Sequence, residues 1–217
     1  MFGKYRTILL VACSGALVVS ATGCVGNADP VDPAETSPAP TTSAASSPPT
    51  ASPSPTAKPT STPVPASSNG PAKNWPVPKM PESAKEKSEE GISAFAEHYY
   101  DLVNYTIQTN DTKPIKKVTN RSCTECGEGF IDPFDNNLKA GSWLAGADFE
   151  ITVTKSILQP KNGVVLYTSS QGEMVAYMSD GTRQGVFPAS TEPFPASMLL
   201  SWDDGWHVET LEYLEVK

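Results

Sequence analysis

The sequence predicts an α+β domain over residues 82–217, in which N-terminal helices pack on a curved, mostly antiparallel sheet. Three observations predict it. Apolar residues recur at three- and four-residue intervals before residue 110, which is the period of a helix, and they alternate after Gly141, which is the period of a strand. A long stretch rich in Pro, Ser, Thr and Ala separates these patterns from the N-terminus. Helices first and strands afterwards are typical of an α+β domain.

Residues 1–23 have the pattern of an export signal. Lys4 and Arg6 precede an apolar run from Ile8 to about Val19, and small residues follow. The run is shorter than the roughly 20 residues that span a bilayer, so we expect cleavage rather than a retained transmembrane helix.

The signal ends in Ala21-Thr22-Gly23-Cys24, which resembles a bacterial lipobox. The resemblance implies that Cys24 is diacylated through its sulfur and becomes the first residue of the mature chain. Two acyl chains hold a protein on a membrane where one does not, since each buried CH₂ contributes roughly 0.8 kcal/mol. The alternative is an ordinary signal peptide that leaves Cys24 as a free thiol. We expect a protein anchored by lipid to the outer face of the bacterial cell membrane.

Residues 24–81 are predicted to form the lipidated cysteine and a disordered linker. The stretch lacks the apolar residues that would offset the entropy of ordering, and its prolines favour extended polyproline II conformations. Trp75 is the one large apolar residue near its end and is expected to mark the first contact with the domain.

The helical part of the domain is predicted to begin at a capping box, Ser83 to Glu86, and to continue to about Gln108. Asn110 and Thr112 break this helix and begin a second one through Pro114, and a third segment covers about Phe130 to Leu138.

Strand patterns fill the remainder. Five runs are predicted: Phe149–Lys155, Val164–Thr168, Met174–Met178, Met198–Trp202 and Trp206–Tyr213. Asp203-Asp204-Gly205 is a hairpin signal between the last two. In the last run the apolar residues change parity, which predicts a bulge or burial of both faces. Asp180 to Ser197 is predicted to be a long loop, either pinned to the domain by Phe187 and Phe194 or exposed as a lip that contacts a ligand.

The net charge of the domain argues against nucleic acid as a partner. The domain has eleven Lys and Arg against twenty-one Asp and Glu, so its net charge is 11 − 21 = −10. This charge repels phosphate backbones, and we expect no nucleic-acid binding. It also leaves the acyl chains on Cys24, rather than basic residues, to hold the membrane.

Cys123 and Cys126 form the one CxxC in the chain, and three interpretations are open. A redox pair usually follows a buried strand, whereas polar residues after a helix precede this one. A zinc site needs four ligands, and neither His98 nor His207 has a ligand spacing, so we expect no metal and no cofactor. A disulfide is favoured because residues i and i+3 of a turn lie within bonding reach, and export places them in an oxidising compartment.

The stretches PESAKEKSEEGISAFAEHYYDLVNYTIQTND, SCTEC and DDGWHVETLEY resemble an uncharacterised family of actinobacterial lipoproteins, domain of unknown function 6318. The order of elements is also similar to the cone-shaped NTF2-like fold, which implies a cavity between helices and sheet. In such a cone Tyr99, Asp101, Trp143 and Trp202 are the candidate pocket-lining residues, together with Asp148.

His98, Tyr99, Tyr100 and Asp101 form the most enzyme-like cluster, because Asp, Tyr and His carry acid–base chemistry in related cones. Spacing predicts instead that Tyr99 is packed in the core and that His98 is at the surface. We therefore expect no catalytic residue.

The sequence predicts a lipid-anchored envelope protein whose domain has a non-enzymatic binding or accessory role, with an envelope protein or wall polymer as partner. One alternative is a small-ligand carrier or enzyme that uses an NTF2-like cavity, and another is an envelope thiol oxidoreductase.

Overall fold

The computed structural model describes residues 61–146 and 148–214. The predicted signal (1–23), Cys24 and the linker as far as residue 60 lie outside the described residues. Within the described ranges, no helix is long and apolar enough to cross a bilayer.

The helical layer is built around one long helix. Helix α1 begins at Glu89, where the Ser88 hydroxyl caps it by accepting from the Gly91 N–H, and it ends at Asn110, which has a left-handed φ of 57°. The helical elements are a 3₁₀ turn Ser83–Lys85, α1 Glu89–Thr109, α2 Lys113–Lys116, α3 Thr124–Cys126, a π-helical turn Gly127–Ile131 and α4 Asp132–Ala140.

Seven strands follow in the described ranges and pair antiparallel in two sheets. One sheet has the order β1-β4-β5 and the other β2-β3-β6-β7. The strands are β1 Trp143–Gly146, β2 Phe149–Leu158, β3 Asn162–Gln171, β4 Met174–Tyr177, β5 Arg183–Phe187, β6 Phe194–Trp202 and β7 Trp206–Tyr213.

The two sheets adjoin where the chain passes from one to the other, and we call them the two halves of the sheet and their junction the bend. Strands β1 and β2 are consecutive, as are β3 and β4, so a single long hairpin contributes a pair to each half. Backbone hydrogen bonds also form at this junction: the Gly172 N–H donates to the Asp148 carbonyl (3.2 Å) next to the β2–β3 pairing, and the Ser190 N–H donates to the Gln171 carbonyl (2.8 Å). Gly146 has a φ of 105° at the bend, which a residue with a Cβ rarely adopts.

The main core lies between α1 and the four-stranded half. Its largest fully buried side chains come from both layers: Ile92, Phe95, Tyr99 and Val103 from α1, and Val165, Tyr167, Met198, Leu200, Val208 and Leu211 from the strands. The α+β class and the predicted helical face are confirmed, and so are the five predicted strands. The bulge in β7 is confirmed too, since the register shifts between Leu199 and Leu200.

Three sequence predictions differ from the structure. The capping box at Ser83 forms only a 3₁₀ turn, because Glu86 is extended and Ser88 caps α1 instead. Strands β1 and β5 were not predicted, and β5 occupies part of the predicted loop Asp180 to Ser197. The ordered chain also begins before residue 82, since residues 61–81 pack on the domain.

Residues 61–74 form a strap that hydrogen bonds to α1 and β1. The Ala66 N–H donates to Gln108 Oε1 (2.9 Å) and the Ala72 N–H to the Gln108 carbonyl (3.2 Å), while Trp143 Nε1 donates to the Ser67 carbonyl (2.8 Å). Composition alone did not predict this order, because the strap is held by hydrogen bonds from its backbone to Gln108 and Trp143 and buries one small apolar side chain, Ala66, against Trp143 and Ala145.

Candidate functional site

A pocket of about 490 Å³ opens where the sheet bends, between α4 and the three-stranded half. Its volume falls within the range of roughly 300–1,000 Å³ that small-molecule sites have. The described residues that line it are Ile107, Gly129, Phe130, Pro133, Phe134, Asn137, Ser142, Trp143, Leu144, Phe149, Gln171, Met174, Ala176, Tyr177, Gln184, Phe187 and Tyr213. We call it the bend pocket.

The inner wall of the bend pocket is aromatic and rigidly packed. The rings of Trp143 and Tyr177 stack with centroids 5.5 Å apart, and those of Phe130 and Phe149 meet edge to face at 5.6 Å. Trp143 is fixed further, since its indole N–H donates to the strap. The wall is therefore held in place by contacts within the chain.

A buried tyrosine pair supports this wall from behind. Tyr100 packs against Phe130 and Phe149 with centroids 6.3 and 6.1 Å away, and its hydroxyl hydrogen bonds to that of Tyr167 (2.9 Å). Burial raises the pKa of Tyr167 to about 12 and also raises that of Tyr100, so both phenols are neutral at pH 7. The pair satisfies its own polar atoms behind the pocket.

The rim of the bend pocket is exposed and apolar. Phe187 at the end of β5 is 50% exposed, Tyr213 at the end of β7 is 55% exposed, and Gln184 on β5 is exposed as well. Large exposed aromatic side chains next to a concave site often mark a binding surface.

The bend pocket is electrically neutral. Among the described residues that line it, none is Asp, Glu, Lys, Arg or His. Its polar side chains are the amides of Asn137, Gln171 and Gln184, the Ser142 hydroxyl and two phenols. Such a surface can accept an apolar group and hydrogen bond to an uncharged one, and it offers no carboxylate or imidazole for proton transfer.

The four predicted pocket residues lie in four different places. Trp143 lines the bend pocket, whereas Tyr99 is fully buried in the core. Trp202 lies at the far end of the sheet, edge to face with Trp206 at 4.8 Å. Asp101 faces a groove between α1 and the residues after the strap, where Asp148 also lies. One shared cavity for these residues was a wrong prediction, because α1 turns Tyr99 and Asp101 to different sides.

His98 is buried, with 3% of its surface exposed, and this corrects the predicted surface position. Its Nδ1 has no hydrogen-bond partner among the described residues. Burial lowers the pKa of His98, and Asp101 partly opposes this shift. Burial raises the pKa of Asp101. A substrate could therefore reach an acid–base group of this helix only from the groove beside Asp101.

Cys123 and Cys126 are joined by a disulfide with their Cα atoms 5.3 Å apart. Both residues are buried, at 4% and 0% exposed, at the start of the helical run that leads into α4. Thiol exchange requires that an attacking thiolate reach a sulfur, so this burial favours a structural role. In the part of the chain that the structure describes, no cluster of His, Cys, Asp or Glu could hold a metal ion.

Sequence reasoning missed most of the bend pocket. The sequence pattern places Phe130 in a helix, Met174 and Tyr177 in a strand and Gln184 in a loop, and it gives none of them a role in binding. One signal was present: Asp180-Gly181 follows a predicted strand and indicates the turn into β5. No local pattern predicts the bend itself, which arises from pairings between residues far apart in the chain.

Comparison with known proteins gives a family and distant structural similarities. The model for a family of unknown function, DUF6318, matches residues 61–212. No curated protein matches the chain. A solved structure of the intermembrane space region of chloroplast protein ARC6 is similar with a TM-score of 0.44 and 8% sequence identity, over 59% of this chain and 98% of that one.

Proposed function

We propose that this chain, which belongs to the family of unknown function DUF6318, is a non-enzymatic binding protein that takes an uncharged apolar group into the bend pocket. The domain works outside the cytoplasm, at the outer face of the cell membrane, and lipid on Cys24 anchors it there.

The anchor is inferred from the N-terminal sequence. A basic start, a short apolar run and Ala21-Thr22-Gly23-Cys24 have the order of a lipoprotein leader, and a proline-rich stretch follows. A tether of this composition separates a domain from the surface to which it is anchored. The partners we expect are the membrane, through the acyl chains, and a component of the cell envelope.

The observation that carries the proposed function is the bend pocket itself. It combines a preformed aromatic wall, an exposed apolar rim and a lining without charges among the described residues. Pockets of this kind bind ligands largely by burying apolar surface, while a few polar groups fix the orientation.

The test is binding of the uncharged fluorescent dye N-phenyl-1-naphthylamine to the full mature chain. Ala176 lines the pocket from β4, so Ala176→Leu fills part of it and should weaken the dye about tenfold or more. The matched control is Ala189→Leu, the same change at an exposed position outside the lining.

A second variant guards against a general loss of structure. Phe187→Ala removes an exposed ring from the rim and should reduce affinity without lowering the free energy of unfolding. If the dye does not bind, or if both leucine variants bind it as the parent does, the bend pocket is not a binding site.

A second candidate function is acid–base catalysis in the groove beside Asp101. The raised pKa of this carboxyl favours it, as does a groove volume of about 710 Å³ lined by Trp75 and Tyr105. Asp101→Asn should then abolish turnover of whichever small substrate the mature chain converts, and leave dye binding in the bend pocket intact. A mature chain that binds ligands without converting them counts against this candidate.

A further inference from the structure

We propose that the natural occupant of the bend pocket is the acyl chain of a lipid whose head group carries no net charge. This inference rests on the proposed function and adds the chemical class of the ligand. It draws on the depth of the pocket, on the polar groups at its rim and on the charge of the domain.

The inner part of the pocket suits a methylene chain. Ile107, Phe130, Phe134 and Met174 line it and are at most 7% exposed, so this wall is hydrocarbon and aromatic ring with a thioether. Methionine and aromatic side chains adapt to a chain of methylenes, and burying each CH₂ favours binding. A compact polar ligand would find few hydrogen-bond partners on this wall.

The rim offers hydrogen bonds without charge. Asn137 accepts from the Ser142 hydroxyl through Oδ1 (3.1 Å), and its Nδ2 has no partner among the described residues. The exposed Gln184 amide likewise has none within the described ranges. Amide N–H groups can donate to ester or hydroxyl oxygens of a neutral head group.

The charge of the domain disfavours an anionic head. Its net charge is −10 over residues 82–217, and the described lining has no Lys or Arg that would pair with a carboxylate or phosphate. An anion at the rim would lose hydration and meet a repulsive field. A neutral head group loses less hydration free energy at the rim and is not repelled by the charge of the domain.

Further exposed apolar residues lie on or directly after the elements that line the pocket. They are Leu138 on α4, Met178 after β4, Val186 on β5 and Leu214 after β7. A lipid-anchored domain with such an entrance can receive an acyl chain from the bilayer without exposing the chain to water.

The experiment is displacement of N-phenyl-1-naphthylamine from the mature chain by 1-monolauroylglycerol and by laurate, at pH 8 and below the micelle concentration of each. We expect the glyceride to displace the dye at a concentration at least about tenfold lower than laurate. Both have the same twelve-carbon acyl chain, but the head group of laurate is an anion and that of the glyceride is uncharged. The ten-carbon glyceride should bind about tenfold more weakly than the twelve-carbon one, since two methylenes are lost from the pocket.

A charge at the rim provides the matched test. Gln184→Lys places a cation beside the entrance and should raise the affinity for laurate several-fold relative to that for the glyceride, because only laurate has a carboxylate to pair with the cation. Gln159→Lys gives the same net charge at an exposed position on the other half of the sheet and should leave both affinities unchanged.

The outcomes separate the two proposals. If the dye binds and Ala176→Leu weakens it, but laurate equals the glyceride or neither displaces the dye, the lipid inference fails and the binding pocket stands. If the dye does not bind the pocket, both fail. Affinity that does not depend on chain length also overturns the inference.

Discussion

His98 is a buried imidazole on α1, and its burial couples its protonation to folding. Burial lowers its pKa below the ordinary 6.5, so between these two values the unfolded chain binds more protons than the folded chain. Stability from this residue is therefore complete above about pH 6.5 and is lost as the pH falls toward the folded pKa. The raised pKa of Asp101 acts in the opposite direction at more acid pH, because there the folded chain binds the proton first.

We predict that His98→Gln flattens the pH dependence of stability. Urea unfolding of the parent chain at pH 7.5 and pH 5.5 should show a loss of unfolding free energy on acidification, and the variant should lose less. His207→Gln, which removes the other imidazole, is the matched control. Equal slopes for the parent chain and the His98 variant would mean that this imidazole is protonated as readily in the folded chain as in the unfolded one.

At the scale of elements, the bend between the two halves of the sheet shapes the pocket. Gly146 ends β1 with a φ of 105°, and a Cβ at this position would clash with the Glu173 carbonyl oxygen. The Gly146 carbonyl also accepts from Gln108 Nε2 (3.1 Å), which joins the bend to α1. A side chain here would have to move backbone that positions Met174.

Gly146→Ala should lower the free energy of unfolding by about 2 kcal/mol or more, because both the φ and the contact are unfavourable. It should also weaken dye binding. Gly185→Ala in β5 is the control, since nothing lies within 4 Å of the added methyl and its φ is ordinary. Equal stability of the two variants would show that the bend relaxes without cost.

The disulfide is the other element-scale feature with a measurable contribution. Closing so short a loop stabilises the fold by about 2 kcal/mol through chain entropy, so reduction should lower the unfolding free energy by that amount. Reduction should leave dye binding unchanged, because Cys123 and Cys126 do not line the bend pocket. The thiol oxidoreductase alternative would be supported instead by two observations together. Glutathione would reduce the disulfide readily in the folded chain, and the reduced chain would exchange thiols with a model disulfide.

At the scale of the whole molecule, the sequence predicted elements better than it predicted their assembly. The helical spacing from Ile92 to Val103 and the alternation in β2 are local patterns, and they identified the layers correctly. The strap was missed because its order depends on Gln108 and Trp143, which lie far along the chain. The pocket was missed for the same reason, although Trp143 had been selected.

The attachment of the whole molecule to the membrane is a separate prediction. Mass spectrometry of the membrane-bound protein should find a chain that begins at Cys24 and carries acyl groups on that residue. Cys24→Ala should lack the acyl mass, whereas Cys13→Ala, within the leader, should keep it. A mature chain with a free thiol at Cys24 would contradict the lipid anchor.

The most direct measurement is a two-dimensional NMR spectrum of the mature chain titrated with N-phenyl-1-naphthylamine. Binding in the bend pocket predicts that the largest shift changes occur at Leu144, Met174, Ala176 and the Trp143 indole. Changes concentrated around Asp101 and Tyr105, or around Trp202 and Trp206, would contradict it, as would a spectrum that does not change at saturating dye.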